Sequence, residues 1–313
     1  MIRPHWSFVC LLSAAALGCE TRGSGPPPLE VATGYVTTSD GVRLWYRSVG
    51  GGPETVIVPN ALFHGDRLDG LASTTRRLVL YDPRSRGRSD SVALDRISLD
   101  HQIADVEAIR RSTGADSVAL IGWSGTGMEL FAYALRHPTR VTRLVQLAPV
   151  APRFTPYSDS MMASRQARTD AAASRALSAR IDAGEFAGDE EGLCRAIARV
   201  TGPAAFGDRT KADLAPDVCI YPNEWPARIG PYFGALLGSM ANWDWRPSLA
   251  QMKAPRLVIH GELDNTPLAG NKEWVEGVPD AKLVVIKGAG HWPHLERPEE
   301  TLAAIRDFLD GKS

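Results

Sequence analysis

The chain has 313 residues, 44% of them hydrophobic and 23% charged, with a formal net charge of -1. That apolar content supports one large core, and the near-balanced, scattered Lys and Arg give no electrostatic basis for a nucleic-acid or polyanionic partner. There is no internal repeat and no Cys-x-x-Cys or His-Glu-x-x-His spacing, so neither a solenoid nor a metal site is expected, and no cofactor is implied.

Met1 to His5 carries Arg3, Trp6 to Leu17 is a short apolar stretch, and Ala16-Leu17-Gly18-Cys19 ends it with small residues before a cysteine. A membrane-crossing helix needs about 20 apolar residues, so residues 1–19 read as a secretory signal. The Gly18-Cys19 junction resembles a bacterial lipoprotein processing site, with Ala16 where leucine is usual. The resemblance implies that Cys19 is lipidated and that the protein is exported, periplasmic and membrane-anchored; plain secretion and an uncleaved anchor are the alternatives. Residues 20–34, with Gly23, Gly25 and Pro26 to Pro28, form a flexible and partly extended tether. Of four cysteines, Cys194 and Cys219 remain after the signal and Cys19 are set aside. In an oxidising compartment they would form a disulfide closing a loop of about 25 residues; two buried free thiols are the other reading.

Beyond the tether, Thr37 to Asp40, Gly41 and the alternating Val42, Leu44 and Tyr46 predict a hairpin with Asp-Gly at its turn. Val56 to Val58 and Leu78 to Tyr81 read as buried strands, the second running into Asp82-Pro83-Arg84-Ser85-Arg86-Gly87-Arg88-Ser89. Ile103, Val106, Ala108 and Ile109 give a helical face closed by Gly114. A strand over Ser117 to Ile121, the turn Gly122-Trp123-Ser124-Gly125-Thr126, a helix over Met128 to Arg136 and a strand over Leu144 to Leu147 follow. No clear buried strand occurs between residues 149 and 253. The rhythm resumes with Arg256 to Ile259 before Asp264, and Leu283 to Ile286 before Gly288-Ala289-Gly290-His291. Strands alternating with helices of this length predict an α/β fold with a mostly parallel sheet covered on both faces.

Ser124, Asp264 and His291 each lie just past the C-terminal end of an expected strand, where open parallel sheets place their chemistry. Serine, acid, then histidine is the chain order of α/β-hydrolases. Over nearly its whole mature length the chain resembles that superfamily, whose Asp-x-Arg-Gly-x-Gly-x-Ser segment is matched by Asp82 to Ser89 with Ser85 in the first glycine's place. That loop is a turn and packing signature with no chemistry of its own. The resemblance implies a core over residues 35–148 and 254–313, with a helical cap over 149–253 covering the site. It implies Ser124 as nucleophile, His291 as base and Asp264 as the acid that orients it, with Asp244 a weaker candidate acid. His294 and Glu296 are expected to stabilise the His291 loop.

The Gly125 N–H is one expected oxyanion donor. Aligning Val56 to Val58 with the superfamily's third strand makes Ala61 the second; a register one residue later makes it Leu62, and His64-Gly65 lies too far beyond the strand. Thr126 stands where the elbow usually has a glycine, so the helix start is expected to shift slightly.

Tyr221 to Pro226, Trp243 to Arg246 and the acidic run Asp189 to Glu191 make the chain similar to proline iminopeptidase-like members, in which cap carboxylates hold the free amino group of a peptide. Glu224 is the residue expected in that role, and Trp123 the other substrate contact. Such peptidases carry His-Gly-Gly-Pro-Gly and Gly-Gly-Ser-Trp-Gly, which this chain lacks. The expected substrate is therefore a small ester or a short peptide, with a carboxylesterase-like or lipase-like enzyme and a non-catalytic binding protein as alternatives.

Overall fold

The computed structural model describes residues 29–312. The expected signal, the Cys19 lipidation site and most of the tether lie outside the described residues. Among the described residues no helix is long and apolar enough to cross a membrane.

Eight strands form one sheet: β1 (Val31–Thr37), β2 (Arg43–Gly50), β3 (Glu54–Pro59), β4 (Arg76–Tyr81), β5 (Val118–Trp123), β6 (Val141–Leu147), β7 (Arg256–Gly261) and β8 (Ala281–Ile286). Their order is β1-β2-β4-β3-β5-β6-β7-β8. β2 runs antiparallel to both neighbours, and every other pairing is parallel. The β1–β2 hairpin pairs Thr37 with Arg43 around a turn in which Gly41 takes a φ of 85°. β1 begins at Val31, so residues 31–34 belong to the sheet rather than to the tether. Their residues pair with Tyr46 to Val49, and that ladder fixes the backbone.

Side-chain parity explains why the central strands read as continuous apolar runs. Val56, Val58, Leu78, Leu80, Ala119, Ile121, Val145, Leu147, Leu257 and Ile259 point into one core cluster, whereas Ile57, Val79, Leu120, Leu144 and Val258 point into another. The second face is covered by α2 (Leu99–Ser112) and α3 (Gly125–Arg136), which contribute Ile103, Val106, Ile109, Phe131 and Tyr133. The first is covered by α9 (Pro293–Glu296) and α10 (Pro298–Leu309), with Leu295 from α9 and Ile305, Phe308 and Leu309 from α10, whereas α8 (Leu268–Glu273), between β7 and β8, leads into Trp274 on the second face. Ser98 caps α2 by accepting from the His101 N–H. A one-turn helix, α1 (Ala61–His64), follows β3.

The insertion after β6 carries α4 (Tyr157–Arg168), α5 (Ala171–Asp182), α6 (Glu190–Thr201) and α7 (Pro226–Met240), with short 3-10 turns between them. An isolated bridge between Arg153 and Asp244 closes its base. Cys194 and Cys219 are disulfide-bonded, their Cα atoms 5.7 Å apart and 25 residues apart in sequence. The insertion is not separate from the core throughout: Phe206 is fully buried in the same cluster as Trp292.

Candidate active site

β5 delivers its chain directly into α3, and Ser124 lies between them with φ 56° and ψ -128°. A side chain in that backbone region is strained, which is how a sharp strand-to-helix turn lifts a hydroxyl clear of its neighbours. The approach of helix to strand is close: a Cβ on Gly122 would lie 2.6 Å from the Thr126 carbonyl oxygen. Thr126 fits without displacing the helix start, which is Gly125, because its hydroxyl turns back to donate to the Trp123 carbonyl at 2.7 Å. The close-packing glycine is Gly127, whose added Cβ would lie 3.2 Å from both the Gly122 oxygen and Pro149 Cβ.

The structure brings Ser124, His291 and Asp264 together from the ends of β5, β8 and β7. His291 Nε2 is 3.0 Å from Ser124 Oγ, and His291 Nδ1 is 3.0 and 3.1 Å from the two Asp264 oxygens. The Asp264 side chain is fully buried, and its Oδ1 also accepts the Thr266 N–H at 2.9 Å. The histidine backbone is held from two sides: its N–H donates to Ala205 O and its carbonyl accepts the Trp123 indole N–H, both at 2.8 Å. Glu296 braces the same loop. One oxygen accepts the Gly290 N–H at 2.7 Å, and the other accepts those of Gly207 and Asp208 at 2.8 and 3.1 Å. His294 does something different: its Nε2 lies 3.3 Å from His64 Nδ1, forming a buried histidine pair behind Trp123. Burial holds His64 down at about 4 and His294 well below the usual imidazole value, so both are neutral.

Ala61 and Gly125 open the helices that follow β3 and β5, adjacent strands paired through Val56–Ala119 and Ile57–Leu120. Neither backbone N–H donates to a protein acceptor among the described residues. Leu62 is excluded as a donor because its N–H is taken by Asp82 Oδ1 at 2.8 Å. Asp82 also accepts the Arg88 N–H at 3.0 Å, and burial, opposed by these bonds, pushes its carboxyl up to about 6. In the same loop Ser85 adopts φ 57°, the conformation a glycine would otherwise supply.

Two expected substrate contacts are committed elsewhere. Glu224 is buried, with its oxygens bound to Arg86 Nε and Nη2 at 2.9 and 2.8 Å and to the Gly87 N–H at 2.9 Å, so it is not a lone carboxylate open to a peptide amine. Trp123 is 7% exposed and packs between Phe63, Trp292 and His291 as a structural wall. Asp244 pairs with Arg246 and stays outside the site, and Asp189 of the acidic run caps α6 through the Gly192 N–H. Nothing in the sequence marks Arg86, because its loop resembles a turn and packing segment. Its guanidinium lies over Phe63, Tyr232 and Phe233 at 5.2 to 5.5 Å; burial pulls its pKa down, but Glu224 more than offsets this.

An open groove of about 710 Å³ on the outer face of α2, lined by Glu107, Arg111 and His137 among others, is remote from Ser124, so the site is defined by side-chain geometry rather than by cavity size. Among the described residues no cluster of His, Cys, Asp or Glu is arranged to hold a metal.

Residues 51–298 match the family model described as the alpha/beta hydrolase fold. A pimeloyl-[acyl-carrier protein] methyl ester esterase of Aromatoleum aromaticum is 31% identical over 201 residues, covering 63% of this chain and 75% of the relative. A proline iminopeptidase of Heyndrickxia coagulans is 25% identical over 240 residues, covering 75% and 82%. The solved proline iminopeptidase of Mycobacterium smegmatis superposes with a TM-score of 0.66 at 21% identity, covering 90% of this chain and 98% of that one. With the eight-stranded sheet, the elbow after β5 and the family match in agreement, the chain belongs to the α/β-hydrolase family and is a hydrolase.

Proposed function

We propose that this protein is a serine hydrolase that cleaves a small carboxyl ester or amide through an acyl-enzyme. The observation that carries the reading is the continuous chain Ser124 Oγ, His291 Nε2, His291 Nδ1, Asp264, with each link at 3.0 to 3.1 Å. Ser124 attacks the carbonyl carbon as His291 takes its proton, and His291 returns that proton to the leaving group while Asp264 stabilises the imidazolium. Water, deprotonated by the same histidine, then hydrolyses the acyl-enzyme and restores Ser124. The unpaired N–H groups of Gly125 and Ala61 supply the oxyanion site, each donor contributing about 2.7 to 4 kcal/mol to the transition state. Ester cleavage is favoured over an iminopeptidase that uses Glu224, because that carboxylate is neutralised by Arg86.

A fluorophosphonate probe should label Ser124, and Ser124→Ala should abolish both labelling and turnover of short-chain acyl esters. A folded protein that is not labelled and turns over neither acyl esters nor aminoacyl substrates would favour a binding role instead.

The leader supports a further part of the proposal: export and anchoring through lipidated Cys19. Cys19→Ser should move the protein from the membrane to the soluble fraction, and unchanged partitioning would count against the anchor.

A further inference from the structure

With Glu224 paired, the unpartnered buried carboxylate beside the elbow is Glu129, one helical turn after Gly125 on α3. It is 8% exposed and makes no hydrogen bond among the described residues, yet neither oxygen is fully shut off from solvent. A Cβ on Gly125 would lie 3.9 Å from Glu129 Oε1, which puts the carboxylate on the same helix face as the residue after the nucleophile. Several charged or titratable groups influence it: Arg86 from the loop after β4, Tyr81 from β4, Asp105 from α2 and Tyr232 from α7, with Glu224 acting through Arg86. Burial raises the Glu129 carboxyl to about 7, with Arg86 opposing and Asp105 adding to the rise.

The charge count is what makes the position informative. Arg86 and Glu224 neutralise each other at 2.8 Å, and Asp105 is bound by Arg84 at 2.6 Å. Ionised Glu129 has no cation of its own, and a buried carboxylate without a counter-ion is costly. A hydrocarbon side chain would serve packing alone. The aromatic rings of Phe63, Tyr232 and Phe233 surround the Arg86 guanidinium and extend this polar spot into an otherwise apolar wall under α7.

We propose that Glu129 is a specificity-determining residue that receives an ammonium group of the substrate, so the preferred substrate is a small ester or amide with a protonated amine close to the scissile carbonyl. This rests on Ser124 being the nucleophile. The ligand supplies the cation that the protein withholds, and Arg86, held by Glu224, sets the far edge of the subsite.

The test compares isosteric substrates, β-alanine methyl ester with methyl butyrate and alanine methyl ester with methyl isobutyrate, by their kcat/KM. The wild type should prefer the ammonium member of each pair at least tenfold at pH 7.5. Glu129→Gln should reduce that ratio at least tenfold, and Glu129→Asp should retain part of it. The KM for the amino esters should fall as pH rises from 6 to 7.5, and this dependence should vanish in Glu129→Gln. Equal or better turnover of the neutral esters by the wild type, or a ratio untouched by Glu129→Gln, would overturn the proposal. Calorimetric binding of β-alaninamide against butyramide reads the same subsite without turnover, and fluorophosphonate labelling reads Ser124 separately. Selective amine binding without labelling would remove the hydrolytic reading, and with it the substrate assignment, leaving Glu129 as an amine-binding residue only; labelling without amine selectivity would keep the hydrolytic reading and overturn the role of Glu129.

Discussion

The indole N–H of Trp123 donates to the carbonyl oxygen of His291 at 2.8 Å, tying the residue before Ser124 to the backbone of the histidine that faces it. The two residues are brought together from the ends of β5 and β8, which β6 and β7 separate in the sheet. Trp123→Phe removes the donor and leaves a buried carbonyl unpaired, at a cost of about 1 to 3 kcal/mol. Misplacing a reacting group by about 1 Å costs roughly a hundredfold in rate. The expected outcome is a kcat lower by roughly tenfold to a hundredfold with KM little changed, and a parallel fall in the rate of fluorophosphonate labelling.

Arg86 and Glu224 join the core loop after β4 to the insertion, reinforced by Asn223, whose side chain donates to Gly87 O and Ser89 O at 3.1 and 2.9 Å. Removing one charge leaves the other buried and unpaired, which typically costs about 3 to 5 kcal/mol. Arg86→Met and Glu224→Gln should each lower the free energy of unfolding by that much, read from urea titration. The double variant should lose clearly less than the sum, a coupling that a double-mutant cycle reads directly.

The His64–His294 pair makes the fold acid-sensitive. His64 has a pKa of about 4 in the folded protein against an ordinary value of 6.5, so between these values the unfolded chain binds more protons. The stability it contributes is present above pH 6.5 and is lost as pH falls through about 4. Asp82 and Glu129, raised to about 6 and about 7, act in the opposite sense, so the signature is read as a difference. The stability gap between wild type and His64→Gln should shift by the order of 3 kcal/mol in favour of the variant from pH 7 to pH 4, followed by denaturant titration at each pH.

The Cys194–Cys219 bond closes a loop of 25 residues and ties α6 to the turn that precedes Glu224. Loops of this length contribute about 2 to 4 kcal/mol when crosslinked. Dithiothreitol, or the paired Cys194→Ala and Cys219→Ala substitutions, should lower Tm by several degrees, and reductant should have no further effect on the double variant.

Much of the sheet is legible in the sequence because its central strands are buried on both faces. Val56 to Val58, Leu78 to Tyr81 and Arg256 to Ile259 could be read from apolar runs alone, since both parities of side chain meet a core. The insertion was legible only as a helical region. Its helices α4 and α5 bury at most one residue each, so their sequences carry too little apolar periodicity to mark their ends. Thr126 in a glycine's place implies a shifted helix start, yet its hydroxyl, three residues from the Trp123 carbonyl, satisfies that oxygen and fits the turn.

Sequence by itself determined the order of the elements, the strand ends that carry Ser124, Asp264 and His291, and the elbow between Gly122 and Gly127, because these depend on local backbone preference and on periodicity along the chain. Tertiary structure alone decided which carboxylates are free. Glu224 meets Arg86 across 138 residues, whereas Glu129, in a helical position that reads like any other, forms no ion pair among the described residues and feels Arg86 only from a distance. Pairing of buried charges is a property of distance in space, and a linear pattern holds no record of it.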